Sequence, residues 1–358
     1  MSKKLQPITV LLTGCGAPGA PGIIKCLRKN GERQIRIVGV DMSENAGARG
    51  MVDAFYTVPA AKDPQFIDRI IDICKLESVD VIEPIVTREL MKFAKAKGQL
   101  EALGIKTVAM DPDVLEVVNN KANLLAKMKV IGLPTAEFEV VHSLEELASA
   151  ISKLGYPEKA ICVKGAEGNG SRGVRIVDPT VSRYDLFFNS KPNSMYISYD
   201  ELIRTLGEKN EIPEMLVMEY LPGEEYGVDV LCDHGKILVE AGRYNYEVNS
   251  SIPQGCIIER RDAPFKIVEE LCAKLHIDLH ANFDFKYDVS GVPRLIEINP
   301  RLSATIVSYA AAGVNFPYLG IKSILGEELD VCEPMYGTRM VRHYQEEFLS
   351  PDGTPIEW

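Results

Sequence analysis

Asp284 and Glu297 are the two residues whose type and spacing best suit metal chemistry, and both lie in the segment ANFDFKYDVSGVPRLIEINPR, residues 281–301. Asp288-Val289-Ser290-Gly291 is a turn cluster, so the segment reads as a hairpin. A two-residue loop at Ser290-Gly291 pairs Val289 with Val292. Counting outward sets Asp284 opposite Glu297 and Asn282 opposite Asn299. Alternation then sorts the residues into two faces. One is apolar: Phe283, Phe285, Ile296 and Ile298. The other carries Asn282, Asp284, Lys286, Glu297 and Asn299, and Arg301 continues that parity past Pro300. Carboxylates directly opposed across a strand pair repel each other. A divalent cation turns that repulsion into a binding site. Carboxylate and amide oxygens suit Mg²⁺, which usually completes its shell with phosphate and water. A solvated polar face, with Lys286 neutralising one acid, is the plainer alternative.

Upstream, the strand Ile161–Lys164 ends in a lysine and runs into Gly165-Ala166-Glu167-Gly168-Asn169-Gly170-Ser171-Arg172-Gly173 before Val174–Val177. Backbone amides of a glycine-rich turn can face phosphate oxygens, and a lysine adds a point charge. No Gly-Lys-Ser/Thr opens a helix here, so this is not a P-loop. A flexible hairpin loop remains the structural alternative. The run Leu216–Leu221 breaks at Pro222-Gly223 and is followed by Glu224-Glu225. Such a break exposes backbone amide and carbonyl groups that can pair with an adenine edge, although a surface turn is the commoner explanation of such a sequence.

A second glycine loop, Thr13-Gly14-Cys15-Gly16-Ala17-Pro18-Gly19, follows the first strand and precedes a helix. It fits Gly-x-Gly-x-x-Gly, and Asp41 ends the second strand. An NAD(P)-dependent oxidoreductase is therefore the rival from another class. Pro18 and Pro21 sit awkwardly in that fingerprint, and the acidic hairpin would go unexplained. Glu83 and Thr87 flank the same crevice. Cys15 reads as a small filler in the loop rather than a nucleophile.

The elements that must position these residues change character along the chain. Over the first 110 residues, strands Ile8–Thr13, Ile35–Val40, Val79–Glu83 and Lys106–Met110 alternate with helices Pro21–Lys29, Pro64–Leu76 and Arg88–Leu103. That alternation implies a parallel sheet covered on both faces. Asp111-Pro112 opens a helix, and a second helix spans Lys121–Ile131. A compact α+β segment follows to about Met215, with 178–193 read as a loop or irregular insertion. Strands then dominate to Asn299, interrupted by a helix at Pro264–Leu275. Helices return at Ser303–Ala312 and Pro317–Leu325.

The chain has 358 residues, enough for two or three domains, and a formal net charge of −11. That charge argues against sequence-independent nucleic-acid binding. The eight cysteines form no Cys-x-x-Cys pair, which suits free thiols in a reducing compartment. No stretch approaches the roughly 20 apolar residues of a membrane helix. A cytoplasmic protein is expected, with neither nucleic-acid nor membrane partner.

Taken in order, Lys121, Lys164 with its glycine loop, Glu219-Tyr220-Leu221, Glu225, Asp284 and Glu297-Ile298-Asn299-Pro300-Arg301 resemble the ATP-grasp superfamily, particularly proteins similar to the carbamoyl-phosphate synthetase large subunit. The resemblance covers nearly the whole chain. It implies an α/β and α+β fold: a Rossmann-like pre-ATP-grasp domain (1–110), then a two-lobed ATP-grasp fold with linker helices and lid (111–215) and core (216–358). It implies ATP with Mg²⁺, for which Mn²⁺ can substitute. Lys121 and Lys164 would contact phosphates beneath a lid containing Gly168, Gly170 and Ser171. Glu219 would hold the adenine amino group, Tyr220 and Leu221 the ring edge, and Glu225 the ribose. Asp284, Glu297 and Asn299 would bind metal, with Asp284 also reaching the nucleotide. Arg301, with Lys164, would steady the transferred phosphoryl group. Gly16, Glu83, Thr87 and Arg243 would face the acceptor. The implied activity is ligation of a small carboxylate to an amine through an acyl phosphate, and a homodimer is compatible with it. Two departures stand out: Gly165 follows the second lysine where many relatives have Pro, and Asp284 stands where Glu or Gln is common. The chain is also far shorter than a full synthetase. A nucleotide-binding subunit without chemistry of its own is a further alternative.

Overall fold

The computed structural model describes residues 5–168, 172–190, 194–249, 252–346, 348–351, 354 and 356. Two compact units emerge. The first comprises Met1–Glu116, Tyr226–Asp284 and Ile298–Trp358, and the second Val117–Glu225 and Phe285–Glu297.

In the first unit, β1 (Ile8–Leu12), β2 (Ile35–Asp41), β3 (Ala54–Thr57), β4 (Val81–Glu83) and β5 (Lys106–Thr107) form a sheet in the order β3-β2-β1-β4-β5. Every pairing in it is parallel. Helices α1 (Ala20–Arg28), α2 (Phe66–Glu77) and α3 (Thr87–Glu101) make the crossovers. The strands are rich in Val and Ile because both faces are covered. Val10 and Leu12 enter one core cluster, Leu11 and Val38 the other. Strand order reverses between β1 and β4, which is where open α/β sheets bind ligands. The edge strand β3, half-buried along its length, was not legible as a strand.

After α4 (Pro112–Val118), the second unit contains α5 (Lys121–Val130), β6 (Phe138–Val141), α6 (Leu144–Lys153), β7 (Ile161–Gly165), β8 (Arg175–Val177), α7 (Arg183–Asn189), β9 (Tyr196–Ile197), α8 (Tyr199–Leu206) and β10 (Met215–Glu219). Its sheet order is β6-β10-β7-β8-β9. The stretch expected to be irregular contains α7. Ser182 caps it by accepting the Asp185 N–H at 3.2 Å. Tyr184, Phe187 and Phe188 are exposed, so the helix buries no periodic face that would betray it.

The remaining strands are β11 (Glu225–Asp233), β12 (Lys236–Asn249), β13 (Ile252–Ile258), β14 (Leu279–Tyr287), β15 (Pro293–Asn299) and β16 (Arg339–Val341), ordered β15-β14-β11-β12-β13-β16. Helices α9 (Asp262–Leu275), α10 (Val307–Ala311) and α11 (Phe316–Ile324) complete the chain. Leu231, Val239, Tyr309 and Phe316 join Val10 and Leu12 in one core of the first unit.

The β14–β15 turn corrects the sequence expectation. Asp288 N–H donates to Val292 C=O at 3.0 Å, and Gly291 N–H to Asp288 C=O at 3.0 Å. The loop therefore has three residues, Val289 to Gly291, with Gly291 at φ +76°. The Asp288 carboxylate fixes it by accepting the Ser290 and Val292 N–H groups at 2.8 and 2.9 Å. This shifts the pairing near the turn by one position from the one counted outward from Val289 and Val292. Farther along β15 the burial alternation breaks: Ile296 and Glu297 are both half-buried, then Ile298 and Asn299 are both buried.

Candidate nucleotide and metal site

The second unit gathers positive charge around one carboxylate. Lys121 is the first residue of α5, whose N-cap Asn120 accepts the Asn123 N–H at 3.0 Å. Its ammonium donates to Gly168 C=O at 2.8 Å and lies 3.3 Å from Glu297. Lys164, near the end of β7, donates to Ile296 C=O at 3.2 Å. Lys121 and Lys164 are only 9% and 6% exposed. Burial pulls the Lys164 pKa below the usual lysine range, and Lys121 adds repulsion while Glu297 opposes it. Two lysines facing one glutamate, one of them at a helix N-terminus, leave a net positive pocket suited to an anion. Gly170 and Ser171 lie outside the described residues.

The Pro222-Gly223 bend is tied to β14. Gly223 N–H donates to Tyr287 C=O at 2.9 Å, and a Cβ at Gly223 would stand 2.5 Å from that oxygen. Glu219, expected at the adenine, accepts the Glu137 N–H at 3.0 Å. Glu225, expected at the ribose, lies 3.7 Å from the Lys286 ammonium. Lys286 thus pairs with an acid outside the hairpin, and it also sits 5.8 Å over the Tyr220 ring. Leu221 is buried.

In the first unit, Asn299 Nδ2 donates to Asp284 at 3.0 Å and lies 3.5 Å from Asn282 Oδ1. The structure brings these three side chains together. Arg301 donates to Thr87 Oγ1 at 3.3 Å, Leu302 C=O at 2.7 Å and Asn299 Oδ1 at 3.3 Å. Arg301 and Thr87 are thus neighbours although 214 positions separate them.

Arg243, expected at the acceptor, is 2% exposed. It pairs with Asp229 and donates to the Tyr309 hydroxyl at 2.8 Å. Asp229 and Tyr309 carry no sequence motif. Only the place of Asp229 within the apolar run Val228–Cys232, buried throughout, could have flagged a buried charge in need of a partner.

The crevice between β1 and β4 holds acids. Gly14 adopts φ +63°, and a Cβ there would stand 2.4 Å from Val86. Gly16 N–H donates to Asp41 at 2.7 Å, and Asp41 also accepts the Ser43 N–H at 2.9 Å. The acid expected to hold a dinucleotide ribose is therefore occupied by its own loop. Cys15 is buried and its thiol is pushed up to about 12, chiefly by burial, so it is no nucleophile. Glu83 is 1% exposed, with Oε2 unpartnered, and burial raises its pKa well above the carboxylate range. Glu89 was not anticipated. Burial pushes its pKa up to about 7, with Asp41 adding and a Thr13 hydrogen bond opposing.

A carboxyl raised in the folded state contributes stability that is fully present below its unfolded pKa. That stability is lost as pH rises through the folded value. For Glu89 the window runs from about 4.5 to about 7, with up to about 3 kcal/mol at stake. Thermal melts at pH 5 and pH 8 should show the melting temperature falling with pH. Glu89→Gln should flatten that fall; an unchanged slope would refute the assignment.

Two family descriptions match the chain: "PylC-like, N-terminal domain" over residues 10–108, and "ATP-grasp in the biosynthetic pathway with Ter operon" over residues 211–346. The carbamoyl phosphate synthase arginine-specific large chain of Bacillus subtilis (strain 168) is 23% identical over 283 residues, 76% of this chain and 25% of that one. The chain thus spans about a quarter of that relative's length. Among solved structures, an ADP complex of N5-carboxyaminoimidazole ribonucleotide synthetase superposes with a TM-score of 0.66 at 18% identity, covering 94% of this chain and 81% of that one. The Staphylococcus aureus N5-carboxyaminoimidazole synthetase with ADP gives 0.67 at 17%, covering 93% and 82%. These likenesses agree in fold with the Rossmann-like sheet and the strands that follow it. The chain is thus similar to ATP-grasp proteins over residues 211–346 and to a carbamoyl phosphate synthase large chain over 76% of its length.

Proposed function

We propose that this chain is a Mg²⁺–ATP-dependent ligase that joins a small carboxylate to an amine. The observation that carries the reading is the pair of buried lysines, Lys121 and Lys164, set against the single carboxylate Glu297. Such a pocket recruits phosphate oxygens, which would relieve the lysines' desolvation.

The donor set fits a hard cation. Asp284, Glu297 and Asn299 offer carboxylate and amide oxygens, the ligands Mg²⁺ takes. Bound there, Mg²⁺ would neutralise phosphate charge during transfer. A carboxylate resists attack because oxide is a poor leaving group. Its oxygen therefore attacks the γ-phosphorus of ATP, ADP departs, and an acyl phosphate results. The amine nitrogen then attacks the acyl carbon, phosphate leaves, and the nitrogen loses a proton. Lys121 and Lys164 hold phosphate oxygens, and Arg301 steadies the transferred group. Glu219 and the Tyr220–Leu221 backbone seat the base, and Glu225 the ribose. Gly16, Glu83 and Thr87 would border the acceptor. Eight cysteines without a disulfide suit a reducing cytoplasm. Among the described residues, no helix is long and apolar enough to cross a membrane.

The test is an ADP-release screen of amino acids and sugar acids against amines, with product mass measured. A product lighter by one water than its two substrates is expected. If ATP with Mg²⁺ leaves the melting temperature unchanged while NAD(H) raises it, the ligase reading fails.

A further inference from the structure

Arg243 is a buried cation shared unequally between two carboxylates of the first unit. Its Nη1 contacts Asp229 and donates to Tyr309 Oη at 2.8 Å, whereas its Nη2 stands 3.9 Å from Asp284 Oδ1, beyond hydrogen-bonding reach. Nε has no partner. Asn282 also donates to Asp229, at 3.3 Å. Asp229 is 2% exposed, so in a low-dielectric interior its attraction for the guanidinium is strong. The ring of Tyr309 supports the guanidinium from 5.6 Å. A Cβ at Gly227 would meet Cζ at 2.9 Å, so the strand backbone closes the remaining side.

We propose that Asp229 is a positioning residue that holds Arg243 back from Asp284, so that the guanidinium does not compete with a divalent cation there. The inference rests on Asp284 being a metal ligand. A guanidinium released from Asp229 has donors to spare and one nearby carboxylate to turn to. Closing this 3.9 Å ion pair to a hydrogen bond would tie up Asp284 Oδ1 and bring the fixed positive charge nearer an incoming cation. Tyr309 assists by accepting an Nη1 hydrogen. Arg243 is thus a managed counter-charge rather than a ligand for the acceptor.

The experiment titrates Mn²⁺ into the full chain with one equivalent of ADP, reading unbound Mn²⁺ by electron paramagnetic resonance against an ADP-only control. Asp229→Asn should weaken Mn²⁺ binding by about tenfold or more, the effect of roughly one fixed charge on a partly buried site. Tyr309→Phe should shift it the same way by less. The double variant Asp229→Asn/Arg243→Met should return affinity to within about threefold of the natural chain, because the competing cation is gone. A merely structural Asp229 predicts a double variant at least as weak as the single, and that result overturns the proposal. Should Asp229→Asn fail to fold, Tyr309→Phe decides, and unchanged Mn²⁺ affinity there overturns the proposal too. Asp284→Asn separates the two levels. If it leaves Mn²⁺ binding intact, the metal reading itself is wrong. If it abolishes binding while folded Asp229→Asn binds normally, only the present inference falls.

Discussion

Lys164→Met should lower ATP-dependent turnover by about 10²–10³-fold while leaving the protein folded and no less stable. The first half follows from removing a fixed donor aimed at the charge that develops during phosphoryl transfer. The second follows from burial. Lys164 is 6% exposed, and its charged form is disfavoured by desolvation. Its hydrogen bond to Ile296 C=O and the nearby Glu297 offset that cost in part. Methionine fills similar volume without the charge, and such replacements are often neutral or stabilising. A melting curve and an ADP-release assay on the same preparation test both halves. A variant that loses stability in step with activity would make Lys164 structural. One that keeps full activity would remove it from the phosphate site.

Glu297→Gln should be as damaging to turnover, through a different term. The amide keeps the shape and loses the charge that a divalent cation needs, so Mg²⁺-dependent turnover should fall by at least about 10³-fold. Glu297 is also the acid 3.3 Å from the Lys121 ammonium. With it neutralised, both lysines face each other uncompensated. Metal-free ATP should therefore bind at least as tightly as to the natural chain, and should raise the melting temperature by more. Calorimetric titration of ATP in EDTA checks this. Lost turnover with retained metal-free binding separates Glu297→Gln from Lys164→Met, which should weaken ATP binding. Normal turnover would end the metal assignment.

Much of the scaffold was legible because its signals are local. Strands β1, β2 and β4 are short Val/Ile runs between glycine loops and amphipathic helices, and a parallel sheet needs little else. β14 is marked by sequence alone, since apolar and polar residues alternate strictly from Leu279 to Tyr287. The less legible pieces lack a periodic face: β3 at a sheet edge, and α7 with its aromatic rings exposed. The hairpin loop was misjudged because a glycine in a positive-φ position ends two-residue and three-residue loops alike. The deciding group is the Asp288 carboxylate, which binds two backbone N–H groups across the turn.

For the opening hairpin, sequence alone determined that Asn282 and Asp284 lie on one side of β14, because side-chain direction within a strand is set by parity; with a three-residue loop, only the structure brings Asn299 to them. Sequence alone also determined the order of lysines, glycine loop and carboxylates that resembles the ATP-grasp superfamily, because order along a chain needs no coordinates. Only the tertiary structure decided that Lys121 and Lys164 converge on Glu297 from elements 132 or more residues upstream. Only it could place Arg301 against Thr87 and bury Arg243 between Asp229 and Tyr309. The physical reason is common to all three. Charge pairing and desolvation depend on distance through space, and residues far apart in sequence acquire that distance only when separate elements pack.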